Sequence, residues 1–415
     1  PRAWAAWALV AAVACGGEDD RAPAGPTRAP TGVILVSFDT TRADRMGFLG
    51  YEPAHTPVLD ELAAQGVVFE RAWATAPITL PSHASMLTGH YPTAHGVRHN
   101  AVHRLGEQAL LLPEVLREQG FRTAASVGSF ILEGHFGLDQ GFDHYGSPRS
   151  SERAAADPNR LERPADEVID EALAWLADVP AADSWFLFVH MNDPHAPFTP
   201  PADWAARVAD PYDAEIAFAD DQLGRLLAGA GARDDERLLV LFTSDHGESL
   251  GQHGEDTHGL FVYDATLRVP LLAWATDGSL PAGRRVQAPV SIADLAPTVL
   301  DWLDLPPDAM PDVAVPSLLH SLGPDADADR ALYVETELPW HQHRWHPLEG
   351  LVWREHKFVE APRRELYALA DDPGEQHDLV ATDPTAADRF AERLQVLRAE
   401  HHSLGWSDEG AAVDD

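Results

Sequence analysis

Along this chain, short unbroken apolar runs alternate with stretches of helical periodicity. Gly32–Phe38 (GVILVSF), Thr123–Val127, Trp185–Met191 (WFLFVHM) and Arg237–Thr243 (RLLVLFT) are rich in β-branched and aromatic residues. Such runs predict strands buried on both faces. Between them, Thr56–Gly66, Leu110–Glu118, Ala165–Leu176 and Asp213–Leu227 predict helices. In the first of these Thr56 is the expected cap, Pro57 takes the first turn and Gly66 closes the helix. Strands alternating with helices imply an α/β fold, a doubly wound, mostly parallel sheet flanked by helices. After residue 325 the pattern changes. Ala331–Glu335, Gly350–Trp353, Lys357–Glu360 and Glu365–Ala368 read as short strands, and Pro384–His402 as an amphipathic helix. A small C-terminal antiparallel sheet plus a helix is therefore expected.

The N-terminal stretch has a different character. Ala3–Ala14 is continuously apolar but too short to span a bilayer as a helix, which takes about 20 residues. It fits the apolar region of an export signal. It runs into Ala12-Val13-Ala14-Cys15-Gly16, which resembles a bacterial lipobox and makes Cys15 the expected lipidation site. Residues 16–31, rich in Gly, Pro and charge, read as a disordered tether. The expected division is a signal segment at 1–15, the tether at 16–31, a catalytic domain at 32–325, a C-terminal subdomain at 326–405 and a tail at 406–415. The expected location is that of an exported bacterial lipoprotein, periplasmic or on the outer-membrane face, held to the membrane by its N-terminal lipid alone. Cys15 is the single cysteine, so the chain carries no internal disulfide and no cysteine metal cluster.

Composition narrows the function. Of 415 residues, 45% are apolar and 23% charged, enough to build a packed core. Acidic residues outnumber basic ones 66 to 30, for a net charge of −36. Nucleic-acid binding, which needs basic patches, is not expected. An anionic substrate stays open, because a metal ion inverts the local field. Lys357 is the only lysine, which leaves little room for lysine chemistry.

Polar residues gather just past the carboxyl ends of the predicted strands, where open α/β sheets bind ligands. Asp39 follows the first strand, Asn192–His195 the third and Asp245-His246 the fourth. His258 stands beyond a glycine-containing loop. Asp and neutral His are good ligands for a borderline divalent ion, so Zn²⁺ or Mn²⁺ is preferred, with Ca²⁺ or Mg²⁺ possible.

Six ordered segments resemble the sulfatase family, within the wider alkaline phosphatase superfamily. They are Asp39–Gly50, Pro81-Ser82-His83 with Leu87-Thr88-Gly89, Pro194–Pro197, Asp245–Gly254, Arg268-Val269-Pro270, and Glu365-Leu366-Tyr367 with Asp372–Glu375. The departures from the family pattern sit at the chemistry. Its nucleophilic cysteine, converted to formylglycine, aligns with Thr79; its arginine with His83; one of its paired aspartates with Thr40; its Asp-Asn pair with Asp245-His246; and its lysine with His258. A threonine nucleophile with an Asp-His pair resembles instead the nucleotide pyrophosphatase/phosphodiesterases and the phosphoethanolamine and phosphoglycerol transferases.

The resemblance implies a metal held by Asp39, Thr79, Asp245 and His246, with Thr79 as nucleophile. It implies charge neutralisation by Arg42 and a supporting role for His83. His195 and His258 are placed to hold a substrate oxygen, protonate the leaving group or bind a second metal. The expected activity is metal-dependent hydrolysis of a phosphate mono- or diester through a covalent Thr79 intermediate. A sulfuric ester hydrolase, a phosphoethanolamine- or phosphoglycerol-type transferase, and an inactive binding lipoprotein are the alternatives. The expected partner is a small-molecule, glycan or lipid ester.

Overall fold

The computed structural model describes residues 30–100, 102–149, 161–231, 237–313, 315–323, 326–401 and 403–409. The expected signal segment, Cys15 and most of the tether lie outside the described residues. Eight strands form the central sheet: β1 (Thr31–Phe38), β2 (Val67–Phe69), β3 (Arg122–Val127), β4 (His144–Gly146), β5 (Trp185–Met191), β6 (Arg237–Ser244), β7 (Leu271–Ala275) and β8 (Arg284–Val286). Their order is β8-β2-β7-β6-β1-β5-β3-β4. All neighbours are parallel except β2–β7 and β6–β7. This is the expected α/β architecture. The longest strands, β1, β5 and β6, lie side by side at its centre.

Alternation along the strands sorts side chains to the two faces. In β1, Val33 and Leu35 join one core, while Ile34, Val36 and Phe38 join the other. The second core is covered by α1 (Pro57–Gln65), the helix Ala165–Asp178 and the long helix Pro211–Gly231. The first is covered by α2 (Thr79–Thr88), Leu112–Glu118 and Leu295–Trp302. At the start of α1 Thr56 makes no capping bond. Asp220, from the long helix, instead accepts from Val58 N at 3.0 Å and Leu59 N at 2.9 Å. A carboxylate is the better acceptor at a helix N-terminus, where unpaired N–H groups carry positive charge.

The C-terminal sheet is antiparallel, in the order Leu332–Thr336, Leu348–Trp353, His356–Glu360, Glu365–Ala368. Its Val334, Val352 and Val359 join the core under α2. On its other face, Leu351, Phe358 and Leu366 pack against Phe390, Leu394 and Leu397 of the terminal helix Pro384–Glu400. The expected tail at 406–415 is described as far as residue 409. Ser407–Glu409 pairs antiparallel with His103–Leu105. Among the described residues, no helix is long and apolar enough to cross a membrane.

Candidate metal centre and active site

The site forms where β6, β1 and β5 end together. Phe38 aligns with Ser244 on one side and Met191 on the other, so the residues that follow converge. Asp39, Asp245 and His246 are fully buried there. One ligand atom from each lies within 4.8 Å of the others. Helix α2 brings Thr79 in from the covering layer. Thr79 is its first residue, and its Oγ1 lies 3.4 Å from His246 Nε2.

Hydrogen bonds settle how each group is presented. His246 Nδ1 lies 3.0 Å from the Gly247 carbonyl, which can only accept. Nδ1 therefore carries the proton, and Nε2 offers a lone pair to the site. That nitrogen is 3.3 Å from Asp245 Oδ2 and 3.7 Å from Asp39 Oδ1. Asp245 Oδ1 accepts from His246 N at 2.9 Å and Thr40 N at 3.2 Å, leaving Oδ2 free. Both oxygens of Asp39 and Oδ2 of Asp245 are buried with no hydrogen-bond partner. Buried carboxylate oxygens rarely go unpartnered. Three of them facing an imidazole lone pair is the donor set of a divalent ion, so these residues fit a metal.

Electrostatics agrees. Burial pushes the Asp39 carboxyl up, but His190, then His195 and His246, outweigh it and hold it far below the ordinary carboxylate range. Asp245 is pushed up, to about 6, by burial and by the charge on Asp39. Two buried carboxylates this close cannot both ionise cheaply unless a cation joins them. His246 is pushed down to about 3 by burial and then by His258, which keeps it neutral as a ligand must be.

Thr40 has φ of +50°, the left-handed region, unusual for a β-branched residue. It is held there from three sides. Its N–H meets Asp245, its hydroxyl donates to the Pro194 carbonyl at 2.7 Å, and its carbonyl accepts from Tyr212 at 2.6 Å. The strained residue thus orients Asp245 and ties the end of β1 to the His195 loop.

The remaining expected residues divide. The His258 ring lies tilted against His246 and edge-on to His195, with centroids 4.5 and 5.1 Å away. Burial opposes its charge, but Glu248, 3.3 Å from Nδ1, outweighs this and raises its pKa. His83 sits behind the site. Its Nδ1 donates to the Thr79 carbonyl at 2.8 Å, and its Nε2 accepts from Ser37 at 3.2 Å. It braces the first turn of α2. Arg42 is not brought to the cluster. Its guanidinium grips Asp44 at 2.7 and 2.6 Å and donates to the Glu248 carbonyl at 2.9 Å. It lines a separate cleft with Arg71, Arg268 and Arg285.

Sequence reasoning missed His190, Glu248 and Asn100. His190 Nε2 lies 3.2 Å from Asp39 Oδ2. Asn100 accepts from Leu80 N at 2.9 Å and so steadies the start of α2. Only His190 left a signal. Phe186, Phe188 and His190 alternate on one face of a strand that ends at the site, and its polar terminus lies level with Ser37.

A sequence model of the sulfatase family matches residues 31–305. The uncharacterized sulfatase YidJ of Escherichia coli (strain K12) is 26% identical, over 90% of this chain and 89% of its own. The ulvan-active sulfatase of Formosa agariphila is 26% identical, over 74% of this chain and 68% of its own. The crystal structure of the phosphonate monoester hydrolase of Agrobacterium radiobacter shares the fold, with a TM-score of 0.74 at 24% identity over 89% of this chain and 96% of its own. With the family model spanning the central sheet and the donor cluster at its carboxyl edge, this chain belongs to the sulfatase family of the alkaline phosphatase superfamily, metal-dependent hydrolases of ester bonds.

Proposed function

We propose that the chain hydrolyses a phosphate mono- or diester, with Thr79 Oγ as the nucleophile. One observation carries this reading. An unmodified hydroxyl stands at the head of α2, 3.4 Å from the lone pair of His246 Nε2 and beside the Asp39–Asp245 pair. A divalent ion held by Asp39, Asp245 and His246, Zn²⁺ or Mn²⁺ by preference, supplies Lewis acidity, which lowers the pKa of a bound hydroxyl and offsets oxyanion charge.

Thr79 Oγ gives its proton to solvent water and attacks phosphorus in line, and the bond to the leaving oxygen breaks. His258, whose charged form Glu248 favours, gives that oxygen a proton. His195 holds a non-bridging oxygen. Water, giving its proton to the now neutral His258, then attacks the phosphothreonine; the bond to Thr79 Oγ breaks, Oγ regains a proton from solvent, and phosphate leaves from a monoester or a phosphomonoester from a diester. His83 keeps the Thr79 carbonyl, and with it the nucleophile, in place.

Sulfate ester hydrolysis is the second reading, favoured by relatives whose names are those of sulfatases. Both transfers pass through trigonal-bipyramidal oxyanions, so one site can serve either with different efficiency. The deciding experiment compares matched aryl phosphate monoester, phosphodiester and sulfate ester on one metal-loaded preparation, with Thr79→Ala and Asp245→Ala beside the wild type. Phosphoester turnover that falls by at least about 10³-fold in both variants supports the mechanism. Dominant sulfate turnover that survives Thr79→Ala refutes the nucleophile.

Export as a lipoprotein anchored at Cys15 is part of the same proposal, supported by the apolar run that precedes it. Loss of detergent-phase partitioning in Cys15→Ala is the expected result.

A further inference from the structure

We propose that the cleft lined by Arg42, Arg71, Arg268 and Arg285 is a second ligand site, separate from the metal centre, and that it takes a phosphate- or sulfate-type oxyanion. The site is independent of which ester the metal centre cleaves.

The four arginines gather at the same edge of the sheet as the metal centre. Arg42 follows β1, Arg71 follows β2, Arg268 precedes the antiparallel β7, and Arg285 lies in β8. This carboxyl edge is where open α/β sheets take ligands. The cleft has a volume of about 640 Å³, room for a small organic ligand. The whole chain carries a net charge of −36, so four guanidiniums around one cleft run against the prevailing sign.

Asp44, Glu70, Asp264 and Glu355 line the cleft as well, and their pairing decides its character. Asp44 is gripped by Arg42, and Glu70 pairs with Arg285. Asp264 meets Lys357 and accepts from Trp73 Nε1 at 2.9 Å. Glu355 remains, but its side chain is mostly in solvent and stands 3.6 Å from Arg71, beyond hydrogen-bond reach. Arg71 otherwise reaches the Gln287 carbonyl at 3.5 Å and lies over the Trp73 ring. Arg268 donates to the Glu70 carbonyl at 3.0 Å, its Nε is buried without a partner, and it forms no ion pair among the described residues. Two largely buried cations thus face one cleft and are met closely only by neutral carbonyls. Burial pushes the Arg71 guanidinium below its ordinary value; Glu355 draws it back, and Arg268 opposes that.

An oxyanion between the two relieves this arrangement. Each guanidinium is a planar fork of N–H donors that matches phosphate or sulfate oxygens two at a time. Leu49, Leu369 and Pro373 line the same cleft, so an organic group attached to the anion has apolar surface to meet. Leu369 and Pro373 follow the last strand of the C-terminal sheet, whereas the arginines belong to the central one. An occupant therefore touches both.

The test uses the full, metal-loaded chain and titrates phenylphosphonate, which has no ester bond to cleave, by calorimetry. Asp245→Asn disables the metal centre, and one phenylphosphonate per chain should still bind. In that background Arg71→Gln and Arg268→Gln should each weaken binding at least about tenfold. Arg225→Gln, which removes an exposed cation paired with Asp170, should leave it unchanged. Circular dichroism checks that each variant folds; Arg71→Gln, which breaks no close ion pair, decides by itself if Arg268→Gln does not. Inorganic phosphate separates the sources of the anion. Affinity equal to that of phenylphosphonate supports a free oxyanion as the ligand, and weaker affinity supports an organic ester. Absence of binding in Asp245→Asn overturns the proposal. So does unchanged affinity in folded Arg71→Gln, or an equal loss in Arg225→Gln.

Discussion

Lys357 lies fully buried on the third strand of the C-terminal sheet. Its ammonium meets Asp264 and stands 3.1 Å from Glu375 Oε1. Asp264 also accepts from Trp73 Nε1 at 2.9 Å, and its own N–H donates to Glu375 Oε2 at 2.6 Å. The triad therefore fastens the small sheet to the segment that leads back into β7. Lys357→Met keeps most of the stem and removes the charge, which strands two carboxylates in the interior. Removing one partner of a buried ion pair costs about 3–5 kcal/mol. With about 2.1 cal/mol/K of unfolding entropy per residue, a chain of 415 residues shifts by roughly 1 °C per kcal/mol, so the midpoint should fall by about 3–6 °C. The pH dependence has a definite sign. Burial already pushes Glu375 up to about 7, with Lys357 the main opposing influence. Without the lysine its pKa rises further. A carboxyl whose folded pKa exceeds its unfolded value stabilises at low pH and loses that stabilisation as pH rises through the folded value. The Lys357→Met penalty should thus be largest near about pH 8 and shrink toward about pH 5. Adding Asp264→Asn and Glu375→Gln should recover more than half of it, because no unpaired charge stays buried. Unfolding curves for the three proteins at both pH values are the assay. A Lys357→Met protein as stable as wild type, or a penalty that grows on acidification, refutes the reasoning.

Two other outcomes are expected. Chelation should lower the wild-type midpoint, since an ion at about 100-fold its dissociation constant contributes about 2.7 kcal/mol. In Asp39→Asn and Asp245→Asn the chelator should have little effect, and a wild-type curve indifferent to it would contradict the metal centre. Separately, burial and then Asp193 push the Glu215 carboxyl up to about 8. Its stabilisation is present in acid and lost as pH rises through the range from its unfolded value to about 8. Glu215→Gln, which can still accept from Thr199 N, should flatten that alkaline loss; equal slopes in both proteins would show Glu215 to be unperturbed.

The central strands were readable because both their faces are buried, so apolar residues run without a break. Three-residue strands such as Val67–Phe69 and Arg284–Val286 are too short to leave such a run. Helix α2 escaped for another reason. All ten of its residues are buried, so no polar stripe marks a period, and the N–H of Leu80 is met by Asn100 from outside the helix and not by a residue at its own N-cap. Asp39, Asp245 and His246 could be placed because strand ends meet at a known edge of the sheet. His190 was hidden inside an apolar strand, where a histidine reads as packing. The family resemblance made Arg42 a site residue, but Asp44, two positions on, claims its guanidinium. Thr56 has the right residue type for a cap, yet a carboxylate from a distant helix does the capping. Each miss is a tertiary contact that no local pattern records.

The burial of the one lysine has a practical side. Lys357 is the chain's sole ε-amine and is closed to solvent in the folded state. An amine-acylating reagent therefore meets only the α-amino group of the folded chain and attaches at one end of it. Modification of Lys357 requires the C-terminal sheet to part from the catalytic core. The slow appearance of a second acyl group by mass then measures how often that seam opens, residue-specifically and without any engineered probe.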